Sequence, residues 1–366
     1  MVTRSGVNAV GGNMPSALGM FQRFGLDRQL GRHLGHVLVW GMLAATSSAS
    51  TITSPARAQE ARAPDVAAMT RSVVGVKATV PSNARSAESL GTERSGSGVV
   101  IDGSGLIVTI GYLIMEASAV EVRTADGKTH PAEIVAYDNA SGFGLIRGRY
   151  GFKAEPMRLG RSAEARVGDP MLAVAQGGLE GVHATLVVGK REFAGYWEYL
   201  LDEAIFTAPA MAEFGGAALV SAKGELMGIG SLFVHDAAPP LAAPGNMFIP
   251  VDVLKPILGD LLAMGRSAEA PRPWIGVTTR EAGGRVVIQR VTPEGPAAAA
   301  GLRPDDAVLA VGGQPVTSLA EFYRKIWALG DAGTLVPLEV QRGGRVETLS
   351  VRSMDRHRHL RLNPTF

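Results

Sequence analysis

The chain has 366 residues, 46% of them apolar and 19% charged, with no cysteine and a formal charge of +2. That length predicts about two domains, and the apolar fraction excludes wholesale disorder because this much Val, Leu and Ile can bury a core. Without cysteine there are no disulfides, thiolate nucleophiles, iron–sulfur clusters or Cys-ligated zinc.

The charge is concentrated at the N-terminus. Residues 1–59 carry five arginines against Asp27 alone, which leaves the remainder at −2 and without a basic stripe for nucleic acid. Three arginines in residues 23–32 precede the apolar stretch 37–45, and Ala56-Arg57-Ala58 follows. Charged, apolar, then small residues before an A-x-A site is the order of an export signal. Nine residues fall short of the roughly 20 that a helix needs to cross a bilayer core. Residues 1–58 are therefore read as a signal peptide with a long n-region, cleaved near Ala58, and the protein as periplasmic. An uncleaved anchor is the rival reading, and Met14 or Met20 are alternative starts.

From Pro64 onward, short runs rich in Val and Ile alternate with Gly, Asn and Asp turns, as in Ser97-Gly98-Val99-Val100-Ile101, Leu106-Ile107-Val108-Thr109 and Met171-Leu172-Ala173-Val174. This spacing predicts a mostly β protein, a sandwich or barrel. Over 252–264 the period changes to three and four, with Val253, Leu254, Ile257, Leu258, Leu261 and Leu262, which predicts an amphipathic helix. Residues 265–273 read as a linker and 274–352 as a second, smaller unit. In that unit Ser318 and Glu321 have capping-box spacing ahead of a helix presenting Phe322, Ile326 and Leu329. The tail, 353–366, is basic and reads as solvated; a metal site at His357 and His359 is the less favoured reading.

Three segments of the second unit carry a resemblance. Pro273-Trp274-Ile275-Gly276-Val277, the run 296–306 and Val311-Gly312-Gly313-Gln314-Pro315-Val316 look like a bacterial PDZ domain over about 80 residues. Gly276 allows backbone N–H groups to approach a carboxylate. The strand after it offers an edge for an added peptide strand. The resemblance implies peptide binding by Trp274, Ile275, Gly276 and Val277, with Leu319 and Tyr323 on the helical wall of the groove. The plainer alternative for Trp274 and Ile275 is core filling.

The first unit, 64–264, resembles the trypsin-like domain of the HtrA-type (Deg) periplasmic serine proteases. The matching stretches are Gly96-Ser97-Gly98-Val99-Val100-Ile101, Gly105-Leu106-Ile107-Val108-Thr109, Ala136-Tyr137-Asp138, the run 167–174, the run 224–230 and Phe248-Ile249-Pro250-Val251. The resemblance implies a trypsin-like double β-barrel followed by a PDZ domain. It also implies where a Ser-His-Asp triad belongs, and the residues there are wrong for it. Tyr112 stands at the base position, and a phenol with a pKa near ~10 is a poor base at neutral pH. Gly142 stands at the aspartate position. Matching the Gly-Gly pair puts Phe214 at the serine; matching by length to Leu219 puts Gly215 there. No serine lies between Leu201 and Val220. The histidines after the leader are His130, His183, His235, His357 and His359, and Thr207 and Ser221 flank the nucleophile segment.

No catalytic residue, cofactor or metal is therefore assigned. The leading expectation is an exported pseudoprotease that binds peptide C-termini or unfolded envelope proteins as adaptor, sensor or holdase. Two other readings stay open: an active serine endopeptidase with a relocated nucleophile, and a regulatory subunit of an active HtrA-type protease. The resemblance also implies a homo-trimer or a hetero-oligomer with such a protease, and no nucleic-acid partner.

Overall fold

A computed structural model describes residues 65–360; the candidate signal peptide at 1–58 lies outside the described residues. Two closed six-stranded antiparallel barrels come first. Helix α1 (Val66–Ser72), N-capped by the Asp65 carboxylate on the Ala68 amide, leads into β1 (Val73–Thr79). A short α2 (Ala87–Leu90) precedes β2 (Glu93–Val100) and β3 (Leu106–Ile110). A single turn, α3 (Gly111–Ile114), then precedes β4 (Ala119–Arg123), β5 (Thr129–Tyr137) and β6 (Phe143–Gly148). The barrel order is β1-β2-β3-β6-β5-β4. β4 alternates exposed and buried residues, as a strand with one wet face must, whereas all five residues of β3 are buried.

The second barrel runs through β7 (Pro170–Val174), β8 (Val182–Gly195), β9 (Tyr199–Ala208), β10 (Ala218–Val220), β11 (Leu226–Val234) and β12 (Gly245–Pro250), in the order β10-β11-β12-β9-β8-β7. At 14 residues, β8 is much the longest strand of this barrel, and it and β9 form a hairpin.

The helix expected over 252–264 is shorter than its periodicity. Val251–Val253 is a 3₁₀ turn, and α4 spans only Leu258–Met264. Pro256 is the reason: it has no N–H to donate, its ring clashes with the carbonyl four residues back, and it disfavours helical geometry at Lys255. Leu254 and Leu261 are nevertheless fully buried. Residues 265–273 lie against the second unit, with the Pro271 carbonyl accepting from Ala332 N at 2.8 Å.

That unit contains β13 (Val277–Ala282), β14 (Arg285–Val291), α5 (Pro296–Ala299), β15 (Ala307–Val311), β16 (Gln314–Pro315), α6 (Leu319–Trp327), β17 (Leu335–Arg342) and β18 (Arg345–Arg352). The sheet order is β13-β14-β15-β17-β18, so β13 is an edge strand. Ser318 caps α6 as expected, accepting from Glu321 N at 3.2 Å. The Glu321 carboxylate turns instead to the Thr317 amide. Leu329 lies past the helix and is 38% exposed, so the apolar face of α6 ends at Ile326.

The tail departs from its expected solvation. Residues Arg356–Leu360 form α7, and His359 is only 4% exposed. His357 Nε2 approaches the Tyr137 carbonyl at 3.0 Å, and Arg356 donates to the Trp197 carbonyl at 3.3 Å. Among the described residues no group of three or more His, Asp or Glu side chains is arranged to hold a metal ion. No described helix is long and apolar enough to cross a membrane.

Candidate functional site

The residues expected at the base and aspartate positions meet through the backbone. The Gly111 amide donates to the Gly142 carbonyl at 2.8 Å, which sets α3 against the β5–β6 turn. That turn is held by Asp138, whose Oδ2 accepts from the Ser141 amide (2.7 Å) and hydroxyl (2.5 Å). Gly142 has φ +83°, a left-handed conformation that glycine adopts without strain. A Cβ there would lie 3.1 Å from the Tyr199 hydroxyl and 3.2 Å from Ile249 Cδ1. The Tyr199 hydroxyl itself donates to the Ser141 carbonyl at 2.6 Å. A phenol and an isoleucine thus crowd the direction in which a carboxylate would project.

Tyr112 is half-buried and packs against the first core. Its hydroxyl donates to the Ser231 carbonyl at 3.1 Å, and burial pushes its pKa above the ordinary tyrosine value. The phenol is therefore a fixed proton donor, the wrong state for a general base. A Cβ built on Gly215 would lie 3.0 Å from the Tyr112 hydroxyl oxygen. Of the two alignments of the nucleophile segment, the geometry brings Gly215 to Tyr112. The Phe214 side chain instead packs on the second core, with Met211, Ala217 and Phe248.

His130 lies on β5, in the barrel wall and not in a loop, with its ring edge on Phe152. His183 lies on β8, His235 packs against Phe233, and His357 and His359 belong to α7. Among the described residues no histidine is hydrogen-bonded to a serine or threonine hydroxyl. Ser221 is spent on a turn, its Oγ accepting from the Lys223 and Glu225 amides. Thr207 is 1% exposed and its hydroxyl has no partner among the described residues.

The peptide-binding candidates do converge. The consecutive amides of Ile275, Gly276 and Val277 point at one carboxylate, at 3.0, 2.7 and 2.9 Å. Gly276, at φ +83°, provides the turn that aligns them, and a Cβ there would press on Trp274 at 3.2 Å. Leu319 and Tyr323 of α6 are buried beside the cradle, and Trp274 pairs through its backbone with Met354. The carboxylate belongs to Glu198, at the tip of the β8–β9 hairpin. Glu198 is 7% exposed with φ +57°. Burial raises its pKa, and the three amides oppose that rise by favouring the charged form.

The rest of the tip follows it onto the smaller unit. The Tyr196 carbonyl accepts from the Thr279 amide of edge strand β13 at 2.8 Å. The Tyr323 hydroxyl donates to the Gly195 carbonyl at 2.7 Å. Leu200 and Ala194 pack on the core of the smaller unit. Sequence reasoning missed Glu198. The one available signal was an acid inside the aromatic run Tyr196-Trp197-Glu198-Tyr199.

Comparison with known proteins gives two family matches, a trypsin-like peptidase domain over residues 96–229 and a PDZ domain over residues 273–352. The putative serine protease HhoA of Synechocystis sp. is 28% identical over 288 residues, covering 70% of each chain. The serine endoprotease DegS of Escherichia coli K12 is 28% identical over 291 residues, covering 74% of this chain and 79% of its own. The periplasmic pH-dependent serine endoprotease DegQ of the same strain is 27% identical over 271 residues, covering 69% and 58%.

Proposed function

Because the chain belongs to the HtrA-type proteins, a trypsin-like peptidase domain followed by a PDZ domain, we propose that it binds peptides or unfolded proteins through the PDZ groove without hydrolysing them. The observation that carries this reading is the carboxylate seated on three consecutive amides, Ile275 to Val277. Backbone N–H groups arranged in this way select a carboxylate, the group that every free peptide C-terminus presents. The peptidase half supports the second part of the reading. It has a half-buried, hydrogen-bonded phenol at the base position, a left-handed glycine at the orienting position and a glycine facing that phenol. Acyl transfer to a hydroxyl needs a nucleophile within reach of a base, and these positions supply neither.

The location we propose is the bacterial envelope. It follows from the order of the leader and from a relative whose name places it in the periplasm. The role is that of an adaptor, sensor or holdase for exposed chain ends, with assembly into oligomers of its own kind or with an active HtrA-type protease.

Fluorophosphonate labelling of the purified protein, alongside incubation with unfolded casein, tests the absence of hydrolysis. The expected result is no stoichiometric adduct and intact casein after hours. A stable adduct at Thr207, Ser221 or any other hydroxyl, with cleavage lost on alanine substitution there, overturns the reading in favour of a relocated nucleophile.

A further inference from the structure

The groove of the smaller unit is occupied by the chain itself. We propose that the β8–β9 hairpin tip is a built-in ligand of the PDZ cradle, and that a peptide with a free C-terminal carboxylate binds by displacing Glu198. This inference rests on the peptide-binding reading above and adds the regulation of that site.

Glu198 offers the cradle the same group as a C-terminus. Its Oε1 accepts from the Gly276 and Val277 amides and its Oε2 from the Ile275 amide. Each amide has one hydrogen to give, so the side chain and an incoming carboxylate exclude each other. The mimicry extends beyond the charged group. A peptide added to the edge of β13 would take the Thr279 amide, and here the Tyr196 carbonyl takes it. Glu198 also holds a left-handed backbone conformation that is unfavourable for a residue with a side chain. Such a conformation persists where surrounding contacts fix it. The contacts that fix this one are the three amides and the Tyr323 hydroxyl, which accepts from Glu198 N at 3.3 Å.

The hairpin is tethered to the same molecule, so it competes at a high effective concentration. The affinity of the groove for an external peptide is reduced by the fraction of molecules in which the tip is out. Removing the Glu198 carboxylate raises that fraction. Displacement also has a structural consequence. Leu200 and Ala194 leave the smaller unit together with the tip, so a bound peptide loosens that unit from the second barrel.

The test uses the full chain and two variants. Glu198→Gly suits φ +57° and removes the carboxylate, while Glu198→Gln keeps the size and removes the charge. The probes are a dye-labelled pool of decapeptides ending in Leu, Val or Phe with a free carboxylate, and the same pool with a C-terminal amide. We expect the free-acid pool to bind Glu198→Gly at least tenfold more tightly than wild type, with Glu198→Gln between them and the amidated pool unchanged. In parallel, hydrogen exchange at Ile275, Gly276 and Val277 should be at least tenfold slower in wild type than in Glu198→Gly. Equal exchange and equal affinity for the free-acid pool in all three proteins overturn the occupancy while leaving the peptide-binding reading intact. Binding of the pool by none of them overturns that reading, and the displacement with it.

Discussion

The Tyr112 hydroxyl stands where a side chain at position 215 would project, so any residue larger than glycine there must push the phenol aside. With the Gly215 Cβ direction ending 3.0 Å from the Tyr112 hydroxyl oxygen, a serine at 215 is overpacked. Gly215→Ser is therefore expected to destabilise the protein by about 1–2 kcal/mol, and Tyr112→Ala to relieve most of that penalty. Urea unfolding of the two single variants and the double variant measures the coupling. Restoring all three residues, as Tyr112→His, Gly142→Asp and Gly215→Ser together, is expected to leave fluorophosphonate labelling at background. An aspartate introduced at position 142 would have to adopt a left-handed conformation and push against the Tyr199 hydroxyl. Labelling at the stoichiometric level would show that the aspartate position has kept its room. That Tyr112, Gly142, Phe214 and Gly215 are unfit to act as base, orienting acid or nucleophile was legible from residue type alone. Which of Phe214 and Gly215 faces the base position was not legible, since a one-residue shift in a turn leaves the local pattern unchanged.

Among the elements, those fixed by short-range chemistry were the legible ones. The Ser318 cap and the Gly276 turn need only residues a few positions apart. Helix α4 was over-read, because the apolar period of 252–264 continues through Pro256 while the hydrogen bonding does not. Helix α7 was missed because two arginines and two histidines in a row resemble a solvated tail, and its burial comes from partners 85 to 274 residues away. Its chemistry gives a pH prediction. Burial first, and then the Arg85 guanidinium beside it, lower the His359 pKa from 6.5 to about 4; Arg356 adds to this, and Glu116 and Glu294 oppose it. Arg85 Nη1 lies 2.7 Å from Nδ1 and 3.0 Å from Nε2; a guanidinium only donates, so the ring nitrogen that accepts from it carries no proton, and the Trp274 ring covers the imidazole at 4.5 Å. Between about pH 4 and 6.5 the unfolded chain binds the proton that the folded chain refuses. The contribution of this group to stability therefore falls as the pH drops through that window. Urea midpoints at about pH 7 and about pH 4.5 should differ more for wild type than for His359→Gln, and an equal acid loss in the two proteins would assign the effect to other groups.

Among the described residues the smaller unit is fastened to the barrels through α7, through the hairpin tip and through an Arg85–Glu294 ion pair. The hairpin itself has two kinds of fastening, and their magnitudes separate them. Arg324 on α6 reaches Glu192 on β8 at 2.5 Å and Asp202 on β9 at 2.6 Å, but all three side chains are substantially exposed. Exposed pairs of this kind are worth about 0.2–1 kcal/mol and are screened by salt. Glu198 is buried, and hydrogen bonds to a charged group contribute roughly 1.5–3 kcal/mol each in net terms. The buried carboxylate, two residues from the exposed Tyr196, thus dominates over the more conspicuous ion pairs. Its partner amides lie 77 to 79 residues further along the chain, which is why no local pattern revealed it. Arg324→Ala, or about 0.5 M salt, is therefore expected to change hydrogen exchange at Ile275, Gly276 and Val277 by less than about fivefold, well short of the change from removing the Glu198 carboxylate. If Arg324→Ala alone released those amides as fully as Glu198→Gly does, the ion pairs would be the fastening. The groove would then open with ionic strength instead of with a competing carboxylate.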